Sequence, residues 1–155
     1  MNASSFLQMA DLYSDFLYVN SRKNELKKFA KEVSVERGWT REACYVIGNL
    51  YSINKQHEKA LIWFRRALII DPNYENALIV SGNEYVEIKS PKDAIAAYCA
   101  AISKFKLSQL PSAKFVELNP LNYRSFFSLG SVYFLLDDLE RSVYFLKTAI
   151  KLEYV

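Results

Sequence analysis

The sequence predicts an all-α solenoid in which antiparallel helix pairs stack into a right-handed superhelix. Small and aromatic side chains recur with the same spacing around Gly48 and around Gly82. These two glycines are separated by one period of about 34 residues, which is typical of helical-hairpin arrays, because one hairpin cannot bury both of its faces and copies must stack. The composition agrees, since half of the chain is apolar whereas only four of its 155 residues are Gly and four are Pro. We therefore predict one helical-repeat domain over residues 1–155.

The clearest copy of the repeat covers residues 41–74. It resembles the tetratricopeptide pattern of two helices followed by a proline-marked turn. Gly48 and Ala60 are predicted to face each other at the helix crossing, because only very small side chains let two helix axes approach to about 8 Å. Phe64 fills the space beside this contact, and Pro72 ends the second helix because it cannot continue the backbone hydrogen bonds. The pattern residues of this copy are Gly48, Ala60, Phe64, Ala67 and Pro72.

Two further copies are predicted on either side of this repeat. Residues 7–40 form a degenerate first copy, in which Ser14 takes the glycine position. Residues 75–122 form the third copy. Its register matches that of the second copy, residue for residue. Its pattern residues are Gly82, Tyr85, Ala94, Tyr98 and Ala101.

The third copy is predicted to carry an insertion at about residues 103–116. Gly130 follows Gly82 by more than one period, and the excess equals the length of this segment. The extra residues belong to the second helix of this copy or to its end. That helix should therefore overrun, break near Ser108–Pro111 and resume before Asn119.

The fourth copy is predicted over residues 123–155. Gly130 and Ala149 stand at its pattern positions. Repeat arrays usually need a terminal helix with a polar outer face, because the last hairpin otherwise leaves its stacking surface in water. The face around Tyr144 and Ile150 is predicted to be uncapped.

Several functional classes receive no support from the composition. The net charge of +3 is spread along the chain, which argues against a nucleic-acid surface. No apolar run approaches the ~18 residues that a membrane span needs. His57 is the single histidine, and no residues around it have the spacing of a catalytic or metal centre. We therefore predict no enzyme activity, no metal and no cofactor.

The strongest local basic cluster combines Arg65 and Arg66 with Lys55 and Lys59. Beside Trp63, these cations could form a platform for nucleic acid. The preferred interpretation is that they are outward-facing charges that solvate the second helix of a pair.

A partner-binding groove is predicted on the first helix of each pair, because those helices form the inner surface of such arrays. Asn49 and Asn83 occupy equivalent places, and an Asn can hold a peptide backbone through its donor and its acceptor. The alternative, that both residues hydrogen-bond to neighbouring helices, is equally compatible with the sequence. The predicted groove residues are Tyr45, Asn49, Ile79, Asn83, Val86, Arg124, Phe127 and Phe134.

A closer resemblance is carried by residues that the repeat pattern leaves free. The strings Val46–Asn49, Gln56–Ala60 and Gly82–Glu87 resemble the family of cell-division-cycle protein twenty-three, the eighth subunit of the anaphase-promoting complex or cyclosome. The resemblance is close over about Leu12–Ile102. It implies a non-catalytic scaffold of a ubiquitin ligase that acts in cell-cycle control, in the nucleus and cytoplasm. The implied partners are other protein subunits of the ligase and a second copy of the chain.

The alternative function is that of a tetratricopeptide co-chaperone or adaptor that binds short peptide tails. Such a protein would use lysines and an arginine in the groove to hold a terminal carboxylate. Tyr45, Ile79 and Val80 stand at those positions here. Only Asn49 and Arg124 are suited to the task, so the subunit interpretation is preferred.

Overall fold

The structure is a computed structural model of the chain in which residues 9–37, 39–108 and 120–153 are described. These residues form eight α-helices and no β-strand. The predicted all-α fold class is therefore confirmed. The helices are α1 (Ala10–Val19), α2 (Lys23–Arg37), α3 (Arg41–Ile53), α4 (His57–Ile70), α5 (Glu75–Glu87), α6 (Pro91–Ser108), α7 (Pro120–Leu135) and α8 (Leu139–Glu153).

Two compact units divide the chain, one over Met1–Ala77 and the other over Leu78–Val155. In the first unit α1 packs on α2 and α3, α2 packs on α3, and α3 packs on α4. Apolar side chains of α1, α2 and α3 share one buried core, whose removal from water stabilises the three helices together. The core residues are Ala10, Leu17, Leu26, Phe29, Ala30, Val33, Ala43, Val46 and Ile53.

The second unit contains the rest of α5 together with α6, α7 and α8, and α7 packs on both α6 and α8. The ring of Phe145 on α8 stacks on the ring of Tyr133 on α7, with centroids 5.5 Å apart. Helices α5, α6 and α7 supply the buried residues of the hydrophobic core cluster in this unit. They are Ile79, Ala94, Tyr98, Ala101, Leu129, Val132 and Tyr133.

The two glycines that set the repeat period each lie against an aromatic ring of the following helix. A Cβ added to Gly48 would lie 2.3 Å from Cε1 of Phe64, and one added to Gly82 would lie 2.4 Å from Cε1 of Tyr98. Carbon atoms pack at about 3.5–4.0 Å, so both positions need glycine. The three atoms nearest to a Cβ at Gly48 all belong to the ring of Phe64, and the facing of Gly48 and Ala60 stays a prediction.

The fourth copy keeps this arrangement with an aliphatic partner. A Cβ added to Gly130 would lie 2.8 Å from Cγ of Leu146. Leu146 follows Gly130 by the same offset along the chain as Phe64 follows Gly48. The residue at this offset therefore supplies the side chain that fills each helix crossing.

Most of the other pattern residues lie in the interior. Ala149 is also buried, whereas Tyr85 is only partly buried and Pro72 is exposed in the turn after α4. Helix α4 ends at Ile70, ahead of Pro72, as the sequence predicts. The pattern residues with at most 1% of their surface exposed are Ala60, Phe64, Ala67, Ala94, Tyr98 and Ala101.

Tight turns of one geometry follow α1, α3, α5 and α7. In the α3 turn the N–H of Lys55 donates to the carbonyl of Ser52 at 2.8 Å, and the N–H of Gln56 donates to the carbonyl of Tyr51 at 3.0 Å. This is the Schellman arrangement, in which a residue in the left-handed region closes a helix. The φ angles lie between 55° and 61°, and each of these residues follows the glycine position of its copy by the same offset. The left-handed residues are Ser21, Lys55, Lys89 and Asp137.

We expect Lys55→Gly to raise the free energy of unfolding by about 0.5–1 kcal/mol. The left-handed region costs a residue with a Cβ about 1–2 kcal/mol, and the greater entropy of glycine in the unfolded chain offsets part of this relief. Lys55→Ala is the matched control, since it removes the side chain but keeps the Cβ, and should change stability by less than about 0.5 kcal/mol. Urea unfolding followed by circular dichroism compares the variants. Equal effects of the two substitutions would contradict the turn assignment.

The helix Pro91–Ser108, predicted as the second helix of the third copy, is longer than its counterpart in the second copy. Helix α6 begins at Pro91, whose missing N–H is harmless at the first helical position. It is 18 residues long, whereas α4 is 14 residues long. The predicted break near Ser108–Pro111 and the resumption before Asn119 lie beyond the last described residue of α6, apart from Ser108 itself. The division into four repeats and the insertion at 103–116 stay predictions.

Candidate protein-binding surface

Tyr45, one of the two predicted groove residues on α3, is a core residue of the first unit. Its side chain is 1% exposed, and its ring centroid lies 5.7 Å from that of Phe64 and 5.5 Å from that of Tyr74. Its hydroxyl donates to Oδ1 of Asp15 at 2.8 Å. Burial, and then the nearby Asp15 carboxylate, raise the pKa of Tyr45 well above its usual value. The predicted groove position of Tyr45 is therefore corrected to a packing position.

Asn49, the other predicted groove residue on α3, hydrogen-bonds to the neighbouring helix. It is buried, and its Nδ2 donates to Oγ of Ser14 and to Oδ1 of Asp15, each at 2.9 Å. A buried amide must find such partners, because leaving it unpaired costs about 1–3 kcal/mol. The structure therefore supports the alternative interpretation of Asn49, in which the side chain joins two helices of the repeat.

The acceptors on α1 are two carboxylates one helical turn apart, Asp11 and Asp15. Oδ2 of Asp11 accepts from Nδ2 of Asn76 at 2.9 Å and from the hydroxyl of Tyr74 at 3.3 Å. Sequence reasoning missed both carboxylates. The sequence signal for these two carboxylates is their i, i+4 spacing on a first helix, which places both acids on one helix face. That face meets the Tyr and Asn side chains of the next copy.

An ion-pair cluster joins the start of α3 to the end of α4. The Arg41 guanidinium pairs with Glu42 at 2.7 Å and with Asp71, and it lies 4.8 Å from the ring centroid of Tyr74. Desolvation acts to raise the pKa of Asp71, but hydrogen bonds from the N–H of Asn73 and from Arg41 outweigh it. Together they hold the pKa of Asp71 below its usual range.

We expect Asp71→Asn to lower the free energy of unfolding by about 1 kcal/mol or less at neutral pH, because ion pairs near the surface contribute little. The folded-state pKa is depressed, so the carboxylate stabilises the fold above its unfolded pKa of about 4. This contribution is lost as the pH falls through the folded value. Urea unfolding at neutral and acidic pH measures the effect, with Glu32→Gln as an exposed carboxylate control. If the difference in the free energy of unfolding between Asp71→Asn and the parent grew toward low pH, it would contradict this account.

In the second unit the predicted groove residues divide into one buried, one partly buried and four exposed side chains. Ile79 is buried in the core, so its predicted groove position is also corrected. Oδ1 of Asn83 accepts from the hydroxyl of Tyr98 at 2.7 Å, and burial raises the pKa of Tyr98 to about 12. Val86 is partly buried. The exposed residues are Asn83, Arg124, Phe127 and Phe134.

An apolar pocket of about 290 Å³ opens beside Val86 in the second unit. Small-molecule sites usually measure about 300–1,000 Å³, so this pocket has room for a single apolar side chain. Val86 is the one predicted groove residue that lines it. Sequence reasoning missed Leu135 and Leu136, because two leucines at a helix end also suit a core. The lining residues are Val86, Lys89, Pro91, Val132, Leu135 and Leu136.

An exposed apolar face lies on α7 and α8. Phe127 and Phe134 project from α7 outside the pocket. Tyr144 and Ile150, which the sequence places on an uncapped face, are exposed on α8. That this face is uncapped stays a prediction. The exposed apolar residues of α8 are Leu139, Val143, Tyr144 and Ile150.

Within residues 9–37, 39–108 and 120–153, no group of three or more His, Cys, Asp or Glu side chains is placed to hold a metal ion. None of the helices in these ranges combines the length and apolar character needed to cross a membrane.

Two segments match family models of the tetratricopeptide repeat, at residues 42–74 and 123–154. Solved structures agree on the fold. PilF of Pseudomonas aeruginosa aligns with a TM-score of 0.74 at 13% identity, covering 96% of this chain and 62% of PilF. A chain of the APC/C hetero-tetramer Cut9–Hcn1 aligns with a TM-score of 0.59 at 18% identity, covering 93% of this chain and 32% of that one. The chain therefore has the helical fold of tetratricopeptide-repeat proteins, and two of its segments match the repeat itself.

Its more specific similarity is to one kind of tetratricopeptide protein. Anaphase-promoting complex subunit 8 of Arabidopsis thaliana is 42% identical over 80 residues. Subunit 8 of Dictyostelium discoideum is 37% identical over 84 residues, and subunit CDC23 of Saccharomyces cerevisiae is 38% identical over 85 residues. The matched regions cover 52–55% of this chain but 14% of each relative. The predicted resemblance is confirmed, and the chain spans a small part of the length of these relatives.

Proposed function

We propose that the chain is a non-catalytic scaffold that holds other protein subunits of an anaphase-promoting complex, a ubiquitin ligase of cell-cycle control. The observation that carries this proposal is the 37–42% identity to the subunit 8 and CDC23 relatives over about half of the chain. We further propose that the chain acts in the nucleus and cytoplasm.

The Val86 pocket is the place where an apolar side chain of a neighbouring subunit would bind. Its lining is aliphatic apart from Lys89. A partner segment with an apolar residue next to a carboxylate fits, because the apolar side chain fills the pocket while the carboxylate meets the lysine. No observation favours the peptide-tail alternative, since Tyr45 and Ile79, at two of its carboxylate-holding positions, are buried.

Affinity isolation of the tagged chain from its own cells, followed by mass spectrometry, tests the assignment. We expect other subunits of the anaphase-promoting complex to co-purify with it. Recovery of chaperones in their place, or of no such subunit, would contradict the proposal.

We expect Leu135→Asp to reduce the recovered subunits at least tenfold, because it puts a charge at the mouth of the Val86 pocket. Leu135 is 71% exposed, so the substitution should leave the fold intact. The matched control is Leu12→Asp in the first unit, at a leucine that is 60% exposed. Quantitative mass spectrometry of the isolated complexes compares the two variants. Equal recovery from both would rule out the pocket as the contact while leaving the assignment of the chain untouched.

A further inference from the structure

The two tryptophans of the chain form an exposed stack with an arginine in the first unit. The rings of Trp39 and Trp63 stack with centroids 5.2 Å apart and planes 26° apart. Cζ of Arg66 lies 4.4 Å from the ring centroid of Trp63 and 5.9 Å from that of Trp39. Trp39 is 67% exposed, so this Trp–Arg stack displays a large aromatic surface to solvent.

The stack lies on an apolar strip of α4. Ile62 and Ile70 are one helical turn before and one turn after Arg66, so the three side chains share one face of the helix. Both isoleucines are about half exposed, at 53% and 49%. Exposed apolar patches beside polar groups mark interaction sites, and Trp and Arg are the residues that most often dominate protein interfaces.

The charge around the Trp–Arg stack is positive. Helix α4, which carries Trp63 and Arg66, exposes three cations, Lys59, Arg65 and Arg66, but one glutamate, Glu58. Within the described residues, neither Arg65 nor Arg66 forms an ion pair. A guanidinium stacked on an indole keeps the N–H groups at its edge for a carboxylate and is already held in one orientation.

We propose that the Trp–Arg stack is a docking surface for an acidic segment of a partner protein. A carboxylate of the segment pairs with the edge of Arg66, and its aliphatic side chains pack on Trp39 and on the isoleucine strip. This surface lies on α4 and on the segment before α3, and the proposal does not depend on which complex holds the chain. Aliphatic strips suit a protein segment better than a nucleic acid, which binds through phosphates and stacked bases.

Peptide titration followed by tryptophan fluorescence tests the proposal directly, because both tryptophans of the chain belong to the stack. The probes are immobilised peptides of alternating Leu and Glu, and matched peptides in which Gln or Lys replaces Glu. The best peptide is then titrated in solution. We expect the Glu peptides to bind at least tenfold more tightly than the Gln peptides, with weaker binding at high salt. Equal binding of the Glu and Gln peptides, or tighter binding of poly(U) RNA, would overturn the proposal.

Substitutions distinguish peptide binding by the Trp–Arg stack from binding by positive charge in general. Arg66→Ala should weaken binding of the Glu peptide at least tenfold, and Arg66→Lys should also weaken it, because an ammonium neither stacks nor pairs in a bidentate manner. Lys147→Ala, which removes an exposed positive charge of the second unit, is the control and should bind as the parent does. Circular dichroism checks that each variant is folded. Unchanged affinity in Arg66→Ala, or full retention in Arg66→Lys, would contradict the docking geometry.

Discussion

Phe64→Ala is expected to lower the free energy of unfolding by about 3–5 kcal/mol, the largest single effect that the structure predicts. The side chain is fully buried, and its ring lies against Gly48 and 5.7 Å from the ring of Tyr45. Truncation removes the apolar group and leaves a cavity that two rigid helices cannot close. Urea unfolding followed by circular dichroism measures the loss.

The matched control lies on the same helix. Ile69 is 73% exposed, so Ile69→Ala should change the free energy of unfolding by less than about 0.5 kcal/mol. A comparable loss in both variants would mean that α4 is not held to its neighbours through the Phe64 face.

Gly48→Ala is expected to lower the free energy of unfolding by about 1–3 kcal/mol, although alanine is the better helix former by about 1 kcal/mol. The new methyl group would lie 2.3 Å from Cε1 of Phe64, so the ring or the helix must move. The ring has little room, because Tyr45 packs beside it.

Gly130→Ala provides the comparison for this effect. Its methyl group would lie 2.8 Å from Cγ of Leu146, a partly buried aliphatic side chain that can change rotamer more easily than a ring can shift. The cost should therefore be smaller than at Gly48. A larger cost for Gly130→Ala than for Gly48→Ala in the same unfolding experiment would contradict this explanation.

The helix pairs could be predicted from the sequence because their signal is local and periodic. Gly48 and Gly82 fix the interval, and an aromatic residue follows each one at a constant offset within the same hairpin. The sequence predicts that Gly48 faces Ala60 with Phe64 beside that contact, and the structure adds that the ring of Phe64 supplies the atoms nearest to Gly48. Small residues at a crossing leave open whether two small groups meet there or a ring fills the gap, and only the helix geometry decides.

The residues of the groove were predicted less accurately than the helix pairs, for a physical reason. The exposure of a side chain on a first helix depends on what the preceding copy places opposite it. The partners of Tyr45 and Asn49 are Ser14 and Asp15, about one period earlier, in a copy too degenerate to be aligned in detail. Burial of these two residues could therefore not be derived from their own hairpin.

The Val86 pocket and the Trp–Arg stack were harder still to predict from the sequence. Leu135 and Leu136 look like core residues in the sequence, and their exposure depends on where α7 ends. Trp39 lies between two helices, and its stacking on Trp63 brings together residues from either side of α3. The cluster of Arg65 and Arg66 was recognised, but the exposed apolar surface beside it was not.

A double-mutant cycle on Gly48 and Phe64 tests most directly whether an aromatic ring seated on a glycine holds the helix pair together. The free energy of unfolding is measured for the parent, Gly48→Ala, Phe64→Ala and the double variant. We predict that Gly48→Ala is destabilising in the parent but neutral or stabilising once Phe64 is alanine, a coupling of at least about 1 kcal/mol. The same cost of Gly48→Ala in both backgrounds would contradict the account.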